Sequence, residues 1–228
     1  MMIDRATVHR PEGPRQGHRA ILGVIAAAAF ALASCGSDQP PSLDVAPVTT
    51  APPSGSVDDT AEPQGDTAFV DRMAAVQSAV TAWGDAITVA DATTAAEAAA
   101  NFVVGPNGPG YGDRNGDGAV SGETEIGLLS GLEGRPEGIA VLLAGNQCVT
   151  RDVLGGTAGD VAAGWAEMEA AIAAWTPDNN TMPSLASHPM RIVGWATFTI
   201  GSASLENAHE YAGHAQLHVD VASAALDC

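Results

Sequence analysis

An all-α fold is the expectation for this chain: a single helical bundle, preceded by a disordered tether and interrupted by one glycine-rich loop. Apolar residues recur at alternating spacings of four and three at Phe69, Met73, Val76, Val80, Trp83 and Ile87, which is one face of a helix. The same spacing returns at Val161, Trp165, Met168, Ile172 and Trp175. The last stretch, Ser204 to Leu226, is rich in Ala and opens on a helix-capping Ser. Links between these stretches are short, as in bundles, and no internal repeat is visible.

The chain opens with Arg5, Arg10, Arg15 and Arg19, then an apolar run over 21–33, then Ser34-Cys35-Gly36. The run is short for a bilayer span, and its flanks are those of a secretory signal. Leu32-Ala33-Ser34-Cys35 resembles the bacterial lipobox. That resemblance implies a leader over 1–34 and a mature N-terminus at Cys35 carrying lipid, so that the protein sits on the extracytoplasmic face of a membrane without a crossing helix. Residues 35–65 hold Pro40, Pro41, Pro47, Pro52, Pro53 and Pro63 among small polar residues, a composition that cannot bury enough surface to fold. They read as a lipid-anchored linker, leaving 66–228 as one domain.

Helices are expected in order over about 67–90, then from the capping box Thr94-Ala95-Ala96-Glu97 to Val104. A short helix is expected through Ile126, Leu128, Leu129 and Leu132, and another from Glu137 to Ala144 with Pro136 in its first turn. The stretch 159–175 forms the next, stopped by Thr176-Pro177. Pro189 to Ile200 reads as helix, with a strand as the alternative because of its β-branched and aromatic content. The segment 204–226 completes seven. Trp83, Trp165 and Trp175 lie in phase with the apolar stripes and read as core rather than as a sugar-stacking platform.

Between the second and third helices, oxygen-bearing side chains alternate at Asp113, Asn115 and Asp117, followed by Gly118 and Ser121. A hard cation takes six to eight oxygens, so a loop around it must point alternate side chains inward and reverse sharply, and glycine permits the reversal. The segment 113–125 resembles the calcium loop of EF-hand and dockerin-type modules. The resemblance implies Ca²⁺ held by Asp113, Asn115 and Asp117, by the Ala119 carbonyl and by Ser121, with Val120 turned to the core. Where the family has a bidentate acid this chain has Thr124, flanked by Glu123 and Glu125, either of which could complete the loop. The alternative is a turn rich in Asp, Asn and Gly without an ion.

Two further groups of residues bear on chemistry. Cys148 and Cys228 are an even pair once Cys35 is lipidated and are expected to form a disulfide in an oxidising compartment. On the last helix, Glu210, His214 and His218 stand four apart and line one stripe. They are an alternative site for Zn²⁺ or Cu²⁺, set against the reading that these histidines pack at a boundary.

The whole chain has 9 Lys and Arg, all of them Arg, against 27 Asp and Glu. The leader takes four Arg with Asp4 and Glu12, leaving five bases against 25 acids, a formal charge of −20. Such a surface repels phosphate backbones and argues against nucleic-acid binding. A Gly-x-Ser-x-Gly elbow, a phosphate-cradling glycine loop and a paired catalytic Cys and His are absent. The expectation is therefore a non-enzymatic extracytoplasmic lipoprotein with a structural calcium, binding an envelope protein or polysaccharide. A transition-metal carrier is the alternative, and a hydrolase using facing carboxylates in a deep pocket is the second.

Overall fold

The computed structural model describes residues 64–132, 137–156 and 160–228. The expected leader, Cys35, nearly all of the expected tether, and Pro136 lie outside the described residues. Those described form five α-helices with shorter 3₁₀ and π turns, and no strand among them: α1 Gln64–Gly84, α2 Val89–Val104, α3 Val161–Ala174, α4 His188–Ile200 and α5 Leu205–Ser223. No helix among the described residues is long and apolar enough to cross a membrane.

Helices α1, α2, α4 and α5 pack on one another, and α3 lies against α4. The four-three stripe of α1 is buried at Phe69, Met73, Val76, Val80 and Trp83. The helix begins at Gln64, inside the stretch assigned to the linker, and ends at Gly84, so Ile87 falls beyond it and is 84% exposed. Burial of α2 runs through Ala92, Ala96, Ala99, Ala100, Val103 and Val104, and α5 buries Ala208, Ala212, Ala215 and Ala222. Small side chains on both helices let backbones approach closely, which suits a bundle whose large residues come from α1 and α4. Ser187 caps α4 by accepting the Met190 N–H, and Ser204 caps α5 by accepting the Asn207 N–H. Each such cap contributes about 1 kcal/mol. The stretch 189–200 is thus helix, not strand.

Two expected elements differ. Thr94 does not open a helix: α2 starts earlier, at Val89, capped by Thr88, whose side chain accepts the Asp91 N–H. Thr94 and Glu97 therefore lie inside α2, and Glu97 is fully buried. Residues 126–132 are not helical either. Leu128 and Leu129 donate their N–H groups to the Phe102 and Val103 carbonyls at the end of α2, while the Gly127 and Leu128 carbonyls accept from Ile139 and Ala140. The segment lies between two partners that satisfy its backbone, and that outcome depends on contacts remote in sequence. The expected helix over 137–144 is a 3₁₀ turn at Ile139–Leu143.

Cys148 and Cys228 are joined across a sequence separation of 80, with Cα atoms 6.2 Å apart. The bridge ties the chain's last residue to the N-terminal end of a π turn at Val149–Val153. Trp83, Trp165 and Trp195 are core residues; Trp175, the C-cap of α3, is only half-buried.

Candidate cation-binding loop and its latch

The loop leaves α2 at Gly105, whose φ of +60° lies in the left-handed region. It returns at Gly127, so close to Gly105 that a Cβ on either glycine would meet the other's backbone. At the loop's base, Tyr111 Oη donates to the Thr124 carbonyl and accepts the Thr124 N–H, both at 3.0 Å.

Inside that clasp, the three residues expected to hold an ion fold over one stretch of backbone. Asp113 accepts the N–H groups of Gly116 (2.7 Å), Asp117 (3.1 Å) and Gly118 (2.9 Å). Asn115 Oδ1 accepts the Asp117 N–H at 3.0 Å, and Asp117 Oδ1 accepts the Ala119 N–H at 2.8 Å. Gly116 and Gly118 have φ of +75° and +91°, and a Cβ at either would touch nothing. Glycine is needed there for backbone angle and not for room. The Ala119 N–H, the Asn115 amide and the Thr94 hydroxyl together hold the Asp117 carboxyl below its usual range, so it stays ionised through neutral and mildly acid pH.

The loop is gripped from beneath by two polar side chains of α2, Glu97 and Asn101, one turn apart and both fully buried. Glu97 Oε2 accepts the N–H groups of Arg114 (2.8 Å) and Asn115 (2.9 Å), and Oε1 accepts that of Ser121 (2.7 Å). Asn101 Nδ2 donates to the carbonyls of Gly112 (2.9 Å) and Ser121 (2.7 Å), and its Oδ1 accepts from Gly112 N and Arg114 Nε. One carboxylate and one carboxamide thereby join the loop's entry to its exit. Arg114 completes the network by donating to the Pro109 carbonyl at 2.7 Å. Burial pulls its guanidinium down to about 10, and the Glu97 charge opposes that shift. Gly122, at φ +74°, lies on the α2 backbone, where a Cβ would run into Ala98.

Glu123 and Glu125 are exposed, and Thr124 Oγ1 donates to the Ile126 carbonyl. Val120, which the resemblance turns to the core, is 39% exposed, while Glu97 and Asn101 hold the backbone of its neighbour Ser121. The donor set of Asp113, Asn115, Asp117, the Ala119 carbonyl and Ser121 is all oxygen, which suits Ca²⁺. With two carboxylates in it, weak affinity is expected. Sequence reasoning missed Glu97 and Asn101 as parts of the site. The signal was present, since a Glu and an Asn four apart in an Ala-rich helix lie on one face.

The histidine stripe does not converge. Glu210 is exposed, His214 stacks on Trp195 at 4.4 Å between ring centroids, and His218 Nδ1 lies 3.1 Å from His188 Nδ1. Among the described residues no three His, Cys, Asp or Glu side chains gather into one group, either at this stripe or in the loop 113–125. Burial, reinforced by Arg191, His188 and His214, lowers His218 to about 3, and burial also lowers His188. Both imidazoles are therefore neutral at physiological pH, one donating to the other.

A cavity of about 330 Å³ beside α3 is lined by Ser130, Asp160, Glu167 and Ser187 among apolar residues. Its hydroxyls are engaged, with Ser130 Oγ accepting the Gly138 N–H and Ser187 Oγ donating to the Val153 carbonyl. Asp160 caps α3. No activated nucleophile results. Compared with protein-family models, curated proteins and solved structures, the chain matches none of them.

Proposed function

We propose that this chain is an extracytoplasmic lipoprotein, anchored through Cys35, whose helical domain carries a structural Ca²⁺ in the loop 113–121 and serves a binding or scaffolding role at the cell envelope. The observation that supports it most is the latch. Burying a carboxylate is costly unless its oxygens are satisfied, and Glu97 spends its oxygens on the backbone N–H groups of this loop. A turn that only reversed the chain needs no such support. The loop's own acids are prearranged, their side chains held by N–H groups of residues 116–119. Ordering them in advance lowers the entropy that ion binding must overcome.

The ion's contribution would be modest. At about 1 mM free Ca²⁺ and a Kd of about 0.1 mM it adds about 1.4 kcal/mol to folding, or about 3–6 °C in Tm for a domain of this size. Melting the protein in calcium and then in chelator tests this directly. The expected rise disappears in Asp117→Ala, and an unchanged midpoint with no heat of Ca²⁺ binding would refute the site. Mass spectrometry of membrane-extracted protein tests the anchor, which predicts a diacylglyceryl adduct on Cys35. The histidine stripe lends no comparable support to a zinc or copper carrier, since its three members face different neighbours.

A further inference from the structure

The cavity of about 330 Å³ beside α3 offers no nucleophile, but it has the size and lining of a binding pocket. Native interiors keep few voids larger than a water molecule, and ligand pockets begin at about this volume. Its floor is apolar: Leu129, Leu185 and Met190 are buried, and Leu154 is partly so. Hydrogen bonds between remote segments fix the walls. Trp165 Nε1 donates to the Ser130 carbonyl at 3.0 Å, and Ser187 Oγ donates to the Val153 carbonyl at 2.6 Å. The space is held open by the fold itself, which lowers the ordering cost a ligand must meet.

The side contributed by α3 has a different character. Asp160, Gly164 and Glu167 follow at spacings of four and three, so they share one face of the helix, and all three line the cavity. Gly164 lies within α3, where glycine costs helix stability relative to alanine. It leaves a gap there. A Cβ on Gly164 would come within 2.8 Å of the Met190 methyl group, so a larger side chain would fill the cavity or drive Met190 into it. The two acids stand one turn to either side of this gap and are exposed.

Charge then selects the ligand. Among the described residues no basic side chain lines the cavity, and the Arg191 guanidinium is engaged by the Leu185 carbonyl. A helix N-terminus by itself favours an anion. Here the start of α3 is covered by the Asp160 carboxylate, which accepts the Ala163 N–H at 3.0 Å, and the Ser187 hydroxyl takes the Met190 N–H at the start of α4. An anionic ligand would also meet Glu167 and the net charge of −18 on the whole chain. We propose that this cavity binds a small amphipathic amine. Its apolar body would lie against Leu129, Leu154, Leu185 and Met190, and its ammonium group would sit at the mouth between Asp160 and Glu167. A volume at the lower end of ligand pockets suits a short alkyl chain or one aromatic ring on a short tail. The proposal does not depend on the calcium site, which is built on α2 and its own loop.

The test follows the Met190 methyl resonance by NMR in the full-length chain, labelled at its methionine methyls and held in nanodiscs, with empty nanodiscs as the blank for partitioning. Propylamine, butylamine, pentylamine and hexylamine are the probes, and hexanol and hexanoate carry the longest tail on a neutral and a negative head. The expected result is a saturable shift whose affinity rises about fourfold for each methylene from propylamine to pentylamine, the effect of burying one CH₂. Hexylamine should bind about two- to fivefold tighter than hexanol, the scale of a partly exposed ion pair, and hexanoate weakest. That margin should vanish in Asp160→Asn with Glu167→Gln, which keeps the cap of α3 because Asn also caps helices. Gly164→Leu should abolish the amine-induced shift. Near-UV circular dichroism checks each fold, and the chain-length series with the double variant decides the matter if Gly164→Leu does not fold. Four outcomes overturn the proposal: no shift at Met190 with any amine, a gain below about twofold per methylene, hexanol or hexanoate binding as tightly as hexylamine, or amine binding unchanged in the folded variants. Chelating calcium leaves amine binding intact if the two sites are independent, so failure of one reading does not imply failure of the other.

Discussion

Replacing Glu97 by Gln changes one atom and removes one charge, and the network around it allows the cost to be worked out. The carboxylate accepts three backbone N–H groups at 2.7–2.9 Å, two on Oε2 and one on Oε1. A carboxamide has a single acceptor oxygen. In its better orientation it keeps Arg114 and Asn115 and turns an NH₂ toward the Ser121 N–H, leaving that donor unmet at about 1–3 kcal/mol. The two bonds that survive fall from charge-assisted to neutral, about 1 kcal/mol each. The guanidinium of Arg114, already disfavoured by burial, also loses the charge that offsets it. The expected destabilisation is about 3–5 kcal/mol, a large share of the roughly 5–15 kcal/mol available to a domain. Part of it will appear locally, because the loop can open into solvent without the bundle unfolding. Urea unfolding followed by tryptophan fluorescence reads the global term, and amide hydrogen exchange at Arg114, Asn115 and Ser121 reads the local one. A midpoint shift worth less than about 1 kcal/mol, together with unchanged exchange at those three amides, would refute the latch. Calcium affinity should weaken in the same variant, since the acids of the loop lose their fixed backbone.

Two other expectations concern the bundle. Cys228→Ser opens a closed loop with a sequence separation of 80 and should cost about 4–5 kcal/mol in the chain-entropy model; chemical denaturation of the variant beside the oxidised protein measures it. His218 supplies a pH dependence whose sign is fixed by its lowered folded value of about 3 against an ordinary 6.5. The folded state favours the neutral ring, so this contribution is complete above pH 6.5 and is lost as pH falls from there toward 3. The slope is at most about 1.4 kcal/mol per pH unit, reduced by the partial solvent access of the ring. Urea midpoints at pH 7 and pH 5 should therefore converge in His218→Gln relative to the unaltered protein, and an equal loss in both would show that His218 is not responsible.

What could be read along the chain was whatever depends on neighbours within a turn or two. The four-three stripe from Phe69 to Trp83 became the buried face of α1, Ser204 capped α5, and Pro189 stands in the first turn of α4, because periodicity, capping and proline geometry are local properties. The pairing of Cys148 with Cys228 was expected once Cys35 was set aside by its resemblance to a lipobox cysteine. Contacts between distant segments decided the rest. Thr94 and Glu97 have the spacing of a helix start, yet α2 had already begun at Val89, and burial against the loop gave Glu97 a different task. Leu128 and Leu129 look helical in sequence, but the free carbonyls at the end of α2 captured their N–H groups. Trp175 kept the phase of its stripe while the end of its helix left it half-exposed at a pocket shared with α4 and α5. Local periodicity chose which residues would be helical, but only the packing of those helices could decide which polar groups would be buried together, since a buried hydrogen bond is settled by whatever acceptor the fold brings within reach.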